Sequence, residues 1–114
     1  MSLERVLKTL EGFGLSRVDA EVYVYLAKMG PQNASELAEA LKITRHQLYP
    51  SIKSLRDKGI VAASIGQHPL FCAIAFEKAL EILIEAEVEQ AKAIRETKEE
   101  LLSNWRAING QNNT

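Results

Sequence analysis

The chain has 114 residues, of which 46% are hydrophobic and 25% are charged, and its formal net charge is −1 at pH 7. This length allows one domain, or one domain with an appendage, and the composition is ordinary for a globular protein. No apolar run approaches the ~18 residues of a membrane span, and residues 1–5 lack the apolar region of a signal peptide. The single cysteine, Cys72, allows no internal disulfide, so we expect a reducing, cytoplasmic setting.

Charge is distributed unevenly along the chain. Residues 42–58 contain five basic side chains against one acidic side chain, residues 59–76 contain none of either sign, and residues 77–100 contain eight acidic and four basic side chains. A basic segment followed by an acidic helix suits a unit that presents one face to DNA. The alternative interpretation is an ordinary solvated helix face.

Two helices are predicted in the first 30 residues. Leucine and valine recur at helical spacing over residues 2–13, and Ser16 is a suitable N-cap for a second helix that ends at Gly30-Pro31. A short third helix follows, with Asn33 and Glu36 at the two positions of a capping box.

A second capping box lies eleven residues after the first, at Thr44 and Gln47, and predicts the start of a fourth helix. The intervening turn falls at residues 42–43, and Gly59 is placed to end the fourth helix. The buried face is predicted at Leu48, Ile52 and Leu55, spaced i, i+4, i+7. The outward face then carries His46, Pro50 and Lys53, with Arg45, Tyr49 and Arg56 along one flank.

Two short strands, predicted at residues 60–65 and 70–74, flank a turn cluster at residues 66–69. Helix, turn, helix and hairpin in this order predict a winged helix-turn-helix, a mainly α fold with a small β-hairpin wing. The usual role of that unit is to place one helix in the major groove of DNA.

One long helix is predicted over residues 77–108, with an apolar stripe whose spacing alternates between four and three residues. Such a stripe favours a coiled coil between two copies, in either parallel or antiparallel orientation. We therefore expect a DNA-binding domain over residues 1–76, a dimerisation helix over residues 77–108 and a disordered tail over residues 109–114. The predicted dimerisation residues are Leu80, Ile84, Ala91, Ile94, Leu101 and Trp105.

The stretches GLSRVDAEVYVYLAKMGPQNASELAEAL, SLRDKGIV and EKALEIL, together with Tyr49, Phe71 and Ala73, resemble the archaeal TrmB-type winged-helix regulators. The resemblance implies a dimeric, DNA-binding transcription regulator. Larger members of that family carry a C-terminal domain that binds sugars. Because this chain ends soon after the long helix, we expect no such effector domain in it.

Two features depart from that family. Pro50 occupies the position after Tyr49 where the family usually has a basic residue, and proline within a helix costs about 3 kcal/mol relative to alanine. The wing offers only Gln67 and His68, so we expect a small contribution from it. Recognition would then rest on the first turn of the fourth helix.

We expect Arg45, His46 and Gln47 to read base edges, since arginine pairs with guanine and glutamine with adenine. Tyr49 has two open interpretations, a hydrogen bond to phosphate or packing against the second helix. Weaker candidates for backbone contact are Ser35 and Lys42. The remaining predicted DNA-binding residues are Thr44 and His68, and Lys53, Arg56 and Lys58 as phosphate contacts.

Other functions are weakly indicated. His46, His68 and Cys72 lack the spacing of a zinc site, and no pattern of catalytic groups is present, so we expect no metal, cofactor or enzymatic activity. Two alternatives to a sequence-specific regulator stay open. One is a winged-helix module that binds proteins instead of DNA, and the other is a chromatin protein that binds DNA without sequence preference.

Overall fold

The structure is a computed structural model that describes residues 2–110. Within these residues the chain forms a mainly helical fold with one two-stranded antiparallel sheet. None of the described helices combines the length and the apolar character that a membrane crossing requires. The elements are α1 (Leu3–Gly12), α2 (Arg17–Met29), α3 (Ala34–Leu41), α4 (Arg45–Asp57), β1 (Val61–Ala63), β2 (Phe71–Ala73), α5 (Phe76–Glu96) and α6 (Lys98–Gly110).

Side-chain caps fix where the first two helices begin. The Ser2 hydroxyl accepts a hydrogen bond from the Arg5 amide at 3.2 Å, and the Ser16 hydroxyl accepts one from the Asp19 amide at 3.0 Å. Each bond satisfies an amide that has no partner inside its helix. The predicted caps of α2 are both confirmed, because Gly30 ends it with φ +84, a conformation that glycine adopts without strain.

The core lies between α2, α4 and the wing. Tyr23 of α2 is fully buried, its hydroxyl donates to the Ile74 carbonyl, and its ring lies 6.4 Å from that of Phe76. Burial raises the pKa of the Tyr23 hydroxyl. The predicted inward residues of α4 are confirmed as buried. The largest fully buried side chains are Tyr23, Leu10, Leu26, Leu37, Leu48, Leu55, Ile60 and Val22.

The wing is shorter than its two predicted strands. Val61 pairs with Ala73 and Ala63 with Phe71, and the seven residues between the strands form the tip. Gln32, in the loop before α3, adds a third line of pairing: its amide donates to the Phe71 carbonyl at 3.0 Å, and the Phe71 amide donates back at 2.8 Å. The start of α3 is therefore joined to the wing by backbone bonds.

The compact winged unit extends to Ile84, beyond the domain boundary expected at residue 76. Ala79 and Leu83 are buried in its core, so the first turns of α5 are part of the winged unit. Of the two predicted dimerisation residues here, Leu80 is half-buried and Ile84 is exposed.

A second unit begins at Glu85 and contains the rest of α5 and α6. The single helix expected here is interrupted at Thr97, whose hydroxyl donates to the carbonyls of Ala93 and Ile94 at 3.1 and 3.2 Å. Such back-bonding competes with the helix backbone and bends helices. The expected disorder from residue 109 is wrong for residues 109–110, which end α6, and residues 111–114 lie outside the described part.

Candidate nucleic-acid interface

The helix-turn-helix is set by two reciprocal capping boxes, as predicted. The Asn33 side chain accepts from the Glu36 amide at 2.9 Å while Glu36 accepts from the Asn33 amide at 2.8 Å. At the start of α4, Gln47 Oε1 accepts from the Thr44 amide at 2.9 Å, and the Thr44 hydroxyl accepts from the Gln47 amide at 3.1 Å. Between the helices, Lys42 adopts a left-handed conformation with φ +57.

One buried polar contact holds α4 on the core. The Ser51 hydroxyl donates to the Asp19 carboxylate at 2.6 Å, and both side chains are buried. Leu48 and Ile52 pack around the same side of the helix. These contacts turn the opposite side of α4 towards solvent.

The outward side of α4 carries the predicted residues His46, Pro50 and Lys53, all exposed. The helix runs without interruption from Arg45 to Asp57, so Pro50 does not break it. At this outward position proline removes an amide donor without burying an unsatisfied group.

The predicted basic residues differ in how they are held. Arg45 Nη2 donates to the Ser35 hydroxyl, which joins the start of α4 to the first turn of α3. Lys53 pairs with Asp57 at 3.0 Å on an exposed face. Lys58, half-buried, donates to Ser54 at 3.2 Å.

A groove of about 240 Å³ brings α3, α4 and the wing tip together. Arg45 and Tyr49 line it from α4, Ser35 from α3, and Gln67 and His68 from the wing. The hairpin geometry places His68 on the same surface as α4, which no local pattern in the sequence indicates.

A second groove, of about 580 Å³, lies between the length of α4 and the base of the wing. Tyr49 lines both grooves and is 49% exposed, so its side chain is not buried against α2, one of the two interpretations left open above. Lys53 and Arg56 border this second groove beside Pro69. Exposed cations therefore line much of the side of α4 that faces the wing.

Thr44 and Gln47, two predicted DNA-binding residues, already use side-chain oxygens in the cap of α4. Cys72 is half-buried with a free thiol. Across residues 2–110 no three His, Cys, Asp or Glu side chains are grouped closely enough to hold a metal ion.

The apolar stripe is exposed beyond the winged unit. Ile94, Leu101 and Trp105 are 56%, 54% and 57% exposed, and Ala91 is exposed too. Within residues 85–110 no side chain is fully buried. Apolar residues on one side of a helix and charged residues on the other are typical of a helix that packs against a partner.

Comparison with known proteins agrees with this architecture. A family model described as "Sugar-specific transcriptional regulator TrmB" matches residues 10–77. The sugar-sensing regulator TrmBL1 of Pyrococcus furiosus is 27% identical over 108 residues, covering 95% of this chain and 31% of that protein. The putative regulator TrmBL2 of the same organism is 31% identical over 107 residues, covering 90% of this chain and 40% of that protein.

Solved structures share the fold. The structure of TrmBL2, described as an archaeal chromatin protein with a novel mode of DNA binding, superposes with a TM-score of 0.80 at 24% identity, over 94% of this chain and 41% of that one. A possible transcriptional regulator from Methanosarcina mazei superposes with a TM-score of 0.61 at 19% identity, over 92% of this chain and 89% of that one. The predicted winged-helix fold is thereby confirmed, and the chain belongs to the TrmB family of transcription regulators, of which it carries the winged-helix DNA-binding domain.

Proposed function

We propose that the chain binds double-stranded DNA with sequence preference, as a homodimer, and regulates transcription by placing the first half of α4 in the major groove. The observation that carries this proposal is the exposed groove on which the start of α3, the flank of α4 with Arg45 and Tyr49, and the wing tip meet. In helix-turn-helix proteins the first helix of the motif crosses the DNA backbone while the second enters the major groove.

Charge supports this orientation. Lys42, Arg45, Lys53 and Arg56 are exposed around the motif, whereas the wing has no formal charge to contribute. Cations that neutralise phosphates release counterions, so binding should weaken steeply with salt, by about 0.9 in log–log slope for each phosphate contacted. The overall charge of −1 would keep binding away from this surface weak.

The proposed dimer rests on the stripe from Ile84 to Ile108, whose large apolar side chains are exposed in the part of the chain that the structure describes. A second copy would bury these side chains in a helical seam. A two-fold dimer would read two half-sites about one helical turn apart, so we expect a pseudo-palindromic site.

Fluorescence anisotropy with two labelled duplexes tests the proposal. One duplex is taken from the upstream region of the protein's own coding sequence, and the other has the same composition in scrambled order. The double variant Arg45→Ala/Lys53→Ala is compared with the control Arg5→Ala/Lys8→Ala. The control also removes one arginine and one lysine, from exposed positions on α1. The wild type and both double variants are titrated against each duplex at a series of salt concentrations.

We expect tight binding to the native duplex, a clear preference over the scrambled one, and loss of binding only in the α4 variant. Equal losses in both double variants would contradict a specific role for α4. Absence of binding to either duplex at low salt would instead favour a protein-interaction module, a function consistent with Pro50 and the uncharged wing.

A second candidate function is DNA packaging without sequence preference. It is favoured by the similarity to TrmBL2, whose structure is described as that of a chromatin protein. Equal affinity for native and scrambled duplexes, with the same steep salt dependence, would support this function over a site-specific regulator.

A further inference from the structure

We infer that base reading and backbone binding are divided along α4 so that His46 and Pro50 read bases while Arg45 binds a phosphate. This inference rests on the proposed function, because it concerns which residues of the same surface select the DNA sequence. It differs from the expectation that Arg45, His46 and Gln47 together read the bases, because it keeps only His46 of these three and adds Pro50.

The side-chain oxygen of Gln47, which a contact with adenine needs, already accepts a hydrogen bond within the cap of α4. A bidentate contact uses both the amide oxygen and the amide NH₂ of the side chain. Gln47 Oε1 lies 2.9 Å from the Thr44 amide and 3.4 Å from the Thr44 hydroxyl. Turning this oxygen towards a base would open the cap that starts α4.

Arg45 is directed away from the outward side of α4. Its guanidinium donates to Ser35, the second residue of α3, and lines the groove that includes the wing residues Gln67 and His68. The guanine contact needs two parallel donors of the same fork, and the contact with Ser35 turns Nη2 of that fork towards α3. A guanidinium between the helix that crosses the backbone and the wing is placed for a phosphate oxygen.

His46, Pro50 and Lys53 remain along the outward side of α4. Their spacing of four and three residues puts them on one stripe of the helix, and all three are exposed. Lys53 pairs with Asp57, but the two side chains are 77% and 66% exposed, and such surface pairs exchange readily for a stronger partner.

The chemistry of His46 and Pro50 defines what each can select. A neutral imidazole offers one N–H donor and one acceptor, which suits the major-groove edge of a purine. The Pro50 ring has no donor or acceptor, so it can select only by apolar contact with the thymine methyl group. Four residues rise about 6 Å along a helix, so the two preferences should lie about two base pairs apart.

Selection of bound duplexes from a random pool, followed by affinity measurements on the selected site, tests this division. The proteins are the wild type, Arg45→Ala, His46→Ala, Pro50→Ser, and the control Lys8→Ala on α1. All four positions are exposed, and the serine variant restores a helix amide, so circular dichroism should show intact folds. A second set of duplexes replaces each selected thymine with uracil, which removes only the methyl group.

We expect His46→Ala and Pro50→Ser each to abolish the preference at one base pair, a loss of about 5- to 150-fold in discrimination. Arg45→Ala should weaken all sequences alike and lower the salt slope by about one for each copy of the chain. Uracil should weaken wild-type binding about fourfold at the Pro50 position, the effect of one methyl group, and should leave Pro50→Ser unaffected.

The possible failures separate the two claims. If the wild type selects no motif, the proposed function fails and this inference fails with it. If a motif is selected but its preferences are lost in Arg45→Ala and kept in His46→Ala, only the inference is overturned. Insensitivity of every thymine to uracil would remove Pro50 as a base-reading residue.

Discussion

The winged unit and the C-terminal helices both have apolar residues at helical spacing, but these residues are buried in the winged unit and exposed in the C-terminal helices. In the winged unit the apolar faces of α2, α3 and α4 are covered by one another and by the wing, so Leu37, Leu48 and Leu55 are fully buried. In residues 85–110 the apolar stripe is exposed, with Ile94 and Trp105 each more than half exposed. The first unit therefore has a core of its own, and the exposed stripe of the second unit supports the proposed pairing with another copy.

The largest effect should come from removing a buried side chain of the winged unit. We expect Leu55→Ala to lower the free energy of unfolding by about 2–5 kcal/mol, through lost burial and the cavity it leaves. The measurement is urea denaturation followed by circular dichroism at several protein concentrations. Because Leu55 lies within the core of one chain, its loss should not depend on concentration.

Leu101→Ala provides the matched comparison, since Leu101 is 54% exposed in the chain. We expect its cost to appear in the concentration dependence of unfolding, as a weaker dimer. Equal losses of stability in both variants at every concentration would contradict the proposed difference between the buried Leu55 and the exposed Leu101.

A charge within the apolar stripe is the most direct test of the proposed dimer seam. We expect Ile94→Asp to weaken self-association roughly a hundredfold, because an unpaired carboxylate in an apolar interface costs several kcal/mol. Light scattering coupled to size exclusion measures the change in mass. Ser103→Asp places the same charge on α6 away from the stripe and should leave the dimer intact. A dimer that survives Ile94→Asp would place the interface elsewhere.

A smaller effect is expected at the polar contact between α2 and α4. Ser51→Ala would leave the buried Asp19 carboxylate without the hydroxyl that lies 2.6 Å from it, at a cost of about 1–3 kcal/mol. Denaturation of Ser51→Ala, Asp19→Ala and the double variant gives the coupling between the two side chains. Additive losses, with no coupling, would show that this contact does not hold α4.

The smallest effect should follow from the surface pair between α1 and α2. Hydrogen bonds from Arg17 hold the pKa of Glu4 below its ordinary value of 4.5, and they raise the pKa of Arg17 in turn. A carboxylate with a lowered pKa in the folded state stabilises it above about pH 4.5, and that contribution is lost as pH falls further.

Glu4→Gln should therefore reduce the loss of stability with acid below pH 4.5, and should lower stability slightly at pH 7 in low salt. Thermal melts between pH 3 and 7 measure both. In an Arg17→Met background the same substitution should have a much smaller effect on both, because only the weaker attraction of Lys8 for Glu4 then remains. An effect of equal size there would assign it to another contact.

Local features of the fold were predictable because they depend on residues a few positions apart. Asn33 with Glu36 and Thr44 with Gln47 form the predicted reciprocal caps, since a capping box needs only its own four residues. The alternation of apolar positions in α4 likewise separates Leu48 and Ile52 from His46.

Contacts between distant segments were not predictable in this way. No local pattern joins Gln32 to Phe71, or brings His68 to the groove lined by Arg45. In α5, both Leu80 and Leu83 fit a helical apolar face, and only the packed core shows that Ala79 and Leu83 face inward. The proposed dimer seam and DNA contacts depend on molecules outside the chain, so the packing within one chain does not determine them.

The hydrogen bond from Tyr23 to Ile74 also has a consequence for how the domain forms. It joins residues 51 positions apart, and the bond between Ser51 and Asp19 spans 32. Contacts of such long separation slow folding, because the chain must close large loops before it gains their stabilisation. During synthesis, α1 to α4 emerge from the ribosome before the second strand does. The hydrogen bond from Tyr23 to Ile74 therefore forms only after the wing has emerged, and until then the helix-turn-helix cannot reach its final packing.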